Sequence, residues 1–130
     1  MTRARASARE YAFMLIFERL FLGQLNEVTL KIFSKKAGEQ AEYLAAVANK
    51  SCEEFESLSQ KIEEYSEGFK LNRMHKVDLA LLLLAATEML YFDDIPNLVS
   101  LNEVLDLAKK YSGEKSVGFV HGILKNFVNG

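Results

Sequence analysis

A chain of 130 residues, 49% hydrophobic and 26% charged, is long enough for one core and too apolar to remain disordered. Its single cysteine excludes an internal disulfide and a cysteine-based metal cluster, and suits a reducing compartment. A formal net charge of −2 says little until it is divided by segment, and no secretory segment follows the basic start MTRARASARE, so a cytoplasmic protein is expected.

One proline, seven glycines and long runs of Ala, Leu, Glu and Lys favour helix, and no stretch alternates apolar with polar for long enough to argue for a sheet. The expected fold is therefore all-α. The first helix runs from residue 4 or 7 to 22, with Tyr11, Leu15, Ile16 and Leu20 on its inward stripe and Gly23 as its stop. Arg3, Arg5 and Arg9 lie at its start, where cations oppose the helix dipole. Either they are simply solvated or an anionic ligand accounts for them.

Asn26 caps a short second helix reaching about residue 36, and Gly38 separates it from a third over residues 39–67. There Leu44, Ala48, Ser51, Phe55, Leu58, Ile62 and Tyr65 recur at alternating steps of four and three, the seam of helices packed nearly antiparallel. The paired acids Glu53–Glu54 and Glu63–Glu64 read as a solvated face rather than metal ligands or general acids. Asn72 is the expected cap of the next helix, VDLALLLLAATEMLYF over residues 77–92. Its core, residues 79–86, is eight apolar residues in a row, so no face is left polar and other helices must wrap it. The run falls short of the ~20 residues a bilayer needs, which excludes a membrane span.

The sequence DDIPN then makes a turn, Ser100 with Glu103 forms a capping box for a helix through residue 111, and a last helix begins near Ser116. Divided by segment, the charge is uneven. Residues 1–36 hold seven Lys or Arg against three acids, residues 37–67 hold two against eight, and residues 107–130 hold four against one. If the two basic ends meet, they form a local cationic surface suited to phosphates.

The stretches ASAREYAFMLIF, ATEML and DDIPNLVSLNEVLDLAKKYSGEKSVGFVHGILKN, in that order, resemble the NusB family of bacterial transcription antitermination factors. Pro96, Asn102-Glu103, Leu107-Ala108-Lys109 and Phe119-Val120 with Gly122 are the most specific part of the likeness. The resemblance implies a single NusB-like domain over residues 1–130, a bundle of about seven helices in two subdomains, near 1–67 and 72–130, around the buried central helix. It implies a function without catalysis, metal or cofactor. Family members pair with NusE, a ribosomal protein of the small subunit, and the pair binds boxA RNA within the RNA polymerase antitermination complex.

Carried over position by position, the resemblance implies RNA contacts at Arg3, Arg5, Arg9, Lys110, Lys115, Ser116 and Phe119, and NusE contacts at Phe17 and Asp78. Arg and Lys would neutralise phosphates and the Phe119 ring would offer a platform to an unpaired base. Phe119 also recurs with Ile123 and Phe127 at core spacing, and Asp78 also suits a helix's first turn, so both bland readings stay open. Three positions depart from the family: Leu83 where arginine is common, Thr87 for tyrosine and His121 for asparagine. The missing arginine implies one RNA contact fewer, and His121 reads as a capping or packing residue.

Two other functions would use a domain of this kind. A protein-only scaffold would dock NusE with little direct RNA role, and some family members form homodimers through the same surface. An RNA methyltransferase, in which a similar domain precedes the catalytic one, would need a glycine-rich cofactor loop and catalytic cysteines that this sequence does not carry.

Overall fold

A helix apolar on every side can only be stable inside a sheath of others, and the computed structural model, which describes residues 3–129, is built that way. The ends of the expected 1–130 domain, residues 1, 2 and 130, lie outside the described residues. The central helix, Lys76–Tyr91, touches five of the other six α-helices and buries every residue from Asp78 to Glu88. In chain order the α-helices are α1 (Arg3–Leu22), α2 (Glu27–Ala37), α3 (Ala41–Glu53), α4 (Phe55–Tyr65), α5 (Lys76–Tyr91), α6 (Asn97–Tyr111) and α7 (Glu114–Asn129). No strand occurs among the described residues, so the all-α expectation holds.

Leu81, Leu82 and Leu84 are fully buried and Leu83 is 1% exposed. Each such side chain contributes roughly 1.5–3 kcal/mol of transfer free energy, an upper estimate because unfolded chains are already partly collapsed. Around α5, α1 presents Ala8, Ala12, Leu15 and Ile16, while α6 and α7 present Val104, Ala108, Val120 and Leu124. Gly23 ends α1 at φ +81°, a left-handed backbone that side-chain-bearing residues resist, and its N–H closes on the Arg19 carbonyl at 2.8 Å. Asn26 caps α2 as expected, its Oδ1 accepting from the Val28 and Thr29 amides at 3.0 and 3.2 Å.

Several boundaries depart from the sequence reading. The expected single helix over 39–67 is two, because the backbone at Glu54 opens to φ −102°, ψ 18° and α4 starts again at Phe55. The apolar seam continues across that break, so periodicity alone did not reveal it. Asn72 caps nothing; it sits in a 3₁₀ turn over Leu71–Arg73, and α5 starts after His75. Ser100 is not a cap either, since α6 begins directly after Pro96, whose fixed φ of −59° suits a helix entry. Ser100 thus lies inside α6, fully buried. His121 is exposed on α7, neither capping nor packed. No described helix is long and apolar enough to cross a membrane.

Candidate nucleic-acid and partner interface

Two residues apart on a helix means about 200° of rotation, so Arg3 and Arg5 cannot share one face, whereas Arg5 and Arg9, four apart, do, and both guanidinium groups lie near the Tyr43 ring. Arg3 is exposed and lines a cavity of about 300 Å³ with Glu10 of α1 and Glu103, Asp106 and Lys110 of α6. Arg5 turns the other way. Its guanidinium lies 4.1 Å from the Tyr43 ring centroid and its Nε donates to the Gln40 amide oxygen, in a cavity that also holds Glu39, Glu42 and Asp94.

Arg9 is the correction to the expected cationic face. It is 1% exposed, and its Nε donates to Glu88 Oε2 at 2.8 Å while Nη1 reaches Glu103 Oε1 at 3.4 Å. Glu88 is itself fully buried and takes two more hydrogen bonds, from Ser100 Oγ at 2.6 Å and from the Tyr43 hydroxyl. A buried charge of either sign is costly without this pairing, so Arg9 and Glu88 require each other. Burial, with the facing Glu88 carboxylate second, holds the Tyr43 hydroxyl well above its ordinary value of 10. The pair joins α1 to α5, with α3 and α6 tied in through Tyr43, Ser100 and Glu103. Arg9 therefore ties the start of α1 to the core, and it also lines the cavity that Arg3 and Lys110 share.

The two basic ends of the chain do meet. Lys110 Nζ is 2.7 Å from Glu10 Oε2, the Tyr111 hydroxyl donates to the same carboxylate, and the Tyr111 ring lies tilted against Phe13, 4.9 Å between centroids. Desolvation of Glu10 works against its ionisation, but the Lys110 and Tyr111 hydrogen bonds outweigh it and hold its carboxyl below the ordinary 4.5. Partial burial, with donation to Glu10 second, pushes Tyr111 up to about 12.

Past Tyr111 the chain turns through Ser112 and Gly113 into α7, and a third cavity, of about 400 Å³, opens on that turn. It gathers Lys115, Ser116 and Phe119, three of the expected RNA residues, beside Asp78, expected at the partner surface. Lys115 is exposed, Ser116 is buried with its Oγ 2.6 Å from that of Ser112, and Phe119 is half-buried with its ring edge-on to Phe69 at 5.3 Å. Because α7 begins at Glu114, its first N–H groups have no intrahelical acceptor and face this end of the molecule. Asp78 is 4% exposed, and its Oδ1 has no hydrogen-bond partner among the described residues. Phe17 lies apart from this cavity, in an α1 stripe between Phe13 at 6.0 Å and Phe21 at 5.1 Å; the Phe21 ring is 62% exposed and lies under Lys76.

The departures from the family also find their places. Leu83 is enclosed by the core, so leucine there withdraws no side chain from the surface. Thr87 is fully buried, its Oγ1 donating back to the Leu83 carbonyl at 2.6 Å. Among the described residues no group of three or more His, Cys, Asp and Glu is arranged to hold a metal ion.

Fold and site together define a small helical binding protein, with an aromatic stripe on one helix and a cation-rimmed, aromatic-walled cavity at the turn between two others. The sequence profile of the NusB family matches residues 6–129, and the chain belongs to that family. It is 36% identical to the transcription antitermination protein NusB of Natranaerobius thermophilus over 97% of this chain and 95% of that one. NusB of T. maritima has the same fold at a TM-score of 0.82 and 28% identity, covering 99% of this chain and 92% of that one. A solved complex of antitermination factors NusB and NusE with double-stranded RNA contains a chain similar in fold, at a TM-score of 0.87 and 22% identity over 99% of this chain and 98% of that one.

Proposed function

We propose that this chain is a transcription antitermination factor that pairs with NusE and binds the boxA segment of a nascent ribosomal RNA, without catalysing a reaction, in the cytoplasm. The observation that carries the reading is family membership over nearly the whole chain, with relatives named for antitermination and a similar fold solved with NusE and RNA. The site geometry supports a division of labour. Lys115, Ser116, Phe119 and the start of α7 serve the RNA, with Arg3 and Lys110 across the α6–α7 turn adding charge. Phe17, with the exposed Phe21 beside it, serves NusE. Arg5, held on Tyr43 among three acids, contributes less to phosphate binding than its exposed neighbour Arg3.

Filter-binding titrations of boxA RNA and a scrambled RNA, each with and without NusE, test this. Preference for boxA that strengthens when NusE is added is the expected result. Equal affinity for both RNAs in both conditions rejects it, and NusE capture without RNA binding leaves only the protein scaffold.

A further inference from the structure

The outer face of α2 belongs neither to the RNA residues nor to the Phe17 stripe. Its inner side packs on α1 and α3: the Phe33 ring stacks on Tyr11 at 4.9 Å and the Thr29 hydroxyl donates to Glu18 at 3.3 Å. Six residues along a helix turn about 600°, so Phe17 projects about 120° around α1 from the Tyr11 side on which α2 lies. Outward, Val28 and Ile32 stand one turn apart, 68% and 51% exposed, and the exposed Lys31 and Lys35 fall on the same stripe. Among the described residues neither lysine has an acid within ion-pair distance. Lys35 suits the last turn of α2, where a cation meets the negative end of the helix dipole, but Lys31 and the aliphatic pair have no such use. β-Branched side chains lower helix propensity, and these two bury little on the chain's own account.

Two aliphatic side chains set between lysines narrow the occupant. A nucleic-acid backbone would use the lysines but gain nothing from Val28 and Ile32, and the stripe carries no ring on which a base could stack. A lipid surface calls for a broader apolar face bearing Leu, Phe or Trp. Two-fold pairing with a second copy would set the stripe against itself, lysine near lysine. An acidic amphipathic helix answers both parts at once, its apolar side chains on Val28 and Ile32 and its carboxylates on Lys31 and Lys35. We propose that the outer face of α2 docks an acidic amphipathic helix of a further protein, distinct from NusE, leaving the RNA residues and the Phe17 stripe free. The proposal goes beyond the antitermination reading and does not depend on it, since α2 carries none of the residues that reading uses.

The test titrates the isotope-labelled full chain, followed by its amide resonances, with a synthetic helical peptide that carries leucines at steps of three and four and glutamates between them. Saturable shifts centred on Val28, Lys31, Ile32 and Lys35 are expected, and a peptide of the same composition with the leucines scattered around the helix should bind more weakly. Lys31→Glu combined with Lys35→Glu should lower affinity for the acidic peptide roughly five- to thirty-fold and raise it for a peptide with lysine in place of glutamate. The same variant should keep wild-type NusE capture and boxA affinity, which establishes that it is folded. Absence of shifts on α2, equal binding of the scattered peptide, or a charge-reversed variant that binds as wild type overturns the proposal. Polyuridine RNA shifting the same residues as strongly as the peptide assigns the face to nucleic acid and also overturns it. So does a dimer of the chain alone, seen by sedimentation, that the charge-reversed variant abolishes. None of these results bears on boxA or NusE binding by the wild-type chain, whose loss is instead the failure of the antitermination reading.

Discussion

Replacing Arg9 with methionine keeps the aliphatic stem in the core and removes only the guanidinium. The Glu88 carboxylate would keep the Ser100 and Tyr43 hydroxyls but lose the cation 2.8 Å away, in a place that is fully buried. Breaking a buried pair from one side costs about 3–5 kcal/mol, because the surviving charge is left uncompensated. Set against a total of roughly 5–15 kcal/mol for a domain, that is a large share. With an unfolding entropy typical of this chain length it corresponds to a fall in Tm of about 10–20 °C. Thermal or urea unfolding followed by circular dichroism at 222 nm measures it. Pairing Arg9→Met with Glu88→Met removes both charges, and part of the loss is expected to return, since a matched apolar replacement is often neutral or better. The refuting result is specific: Arg9→Met within about 1 kcal/mol of wild type, together with a flatter salt dependence of RNA binding, would make Arg9 a surface phosphate contact.

The salt dependence of RNA affinity separates the remaining cations. Lys115→Ala should lower the slope of log K against log salt by about 0.7, the value per phosphate on a single strand, and Arg5→Ala by clearly less; equal changes would contradict the orientation of Arg5 on Tyr43. The Glu10 clasp between α1 and α6 has two pH edges. Because Glu10 is held below 4.5 in the folded chain, its contribution is complete above that pH and is lost as pH falls through the lowered value. Because Tyr111 is raised from 10 to about 12, its contribution is complete below 10 and is lost as pH rises through 12. Tyrosinate absorbance at 295 nm should show late ionisation that Glu10→Gln partly restores to the ordinary range; unchanged titration in that variant would contradict the clasp.

What the sequence made legible was whatever depends on pattern. The unbroken apolar run of α5 can be satisfied only by burial, and Asn26 followed by a helix-forming stretch has one good use for its side chain. The family motifs likewise mark Lys115, Ser116 and Phe119, and the structure brings these to one cavity. What pattern did not carry was direction. Ser100 with Glu103 satisfies the spacing of a capping box, yet both carboxylate and hydroxyl are taken by tertiary partners, Arg9 and Glu88, that lie far away in sequence. The break at Glu54 was invisible because the seam of α3 continues in register into α4.

The three arginines of α1 carry this furthest. Counted as charge they are equivalent, and the basic total of residues 1–36 includes all of them. Helical rotation sends Arg3 toward α6 and puts Arg5 and Arg9 together on the side of Tyr43, and one turn further along the helix Arg9 is enclosed by the core while Arg5 is not. A signal for Arg9 was present in the sequence all the same: Glu88 interrupts an otherwise apolar helix, and a lone acid at a position enclosed on every side demands a cation from another element. Matching that unmet charge to an arginine flanked by Ala8 and Ala12, residues small enough to let helices approach, would have moved Arg9 from the RNA list to the core. Asp78 is the converse case. It too is an acid at the edge of the apolar run and is buried, but among the described residues its Oδ1 has no hydrogen-bond partner, so the fold does not match it to a cation as it matches Glu88 to Arg9.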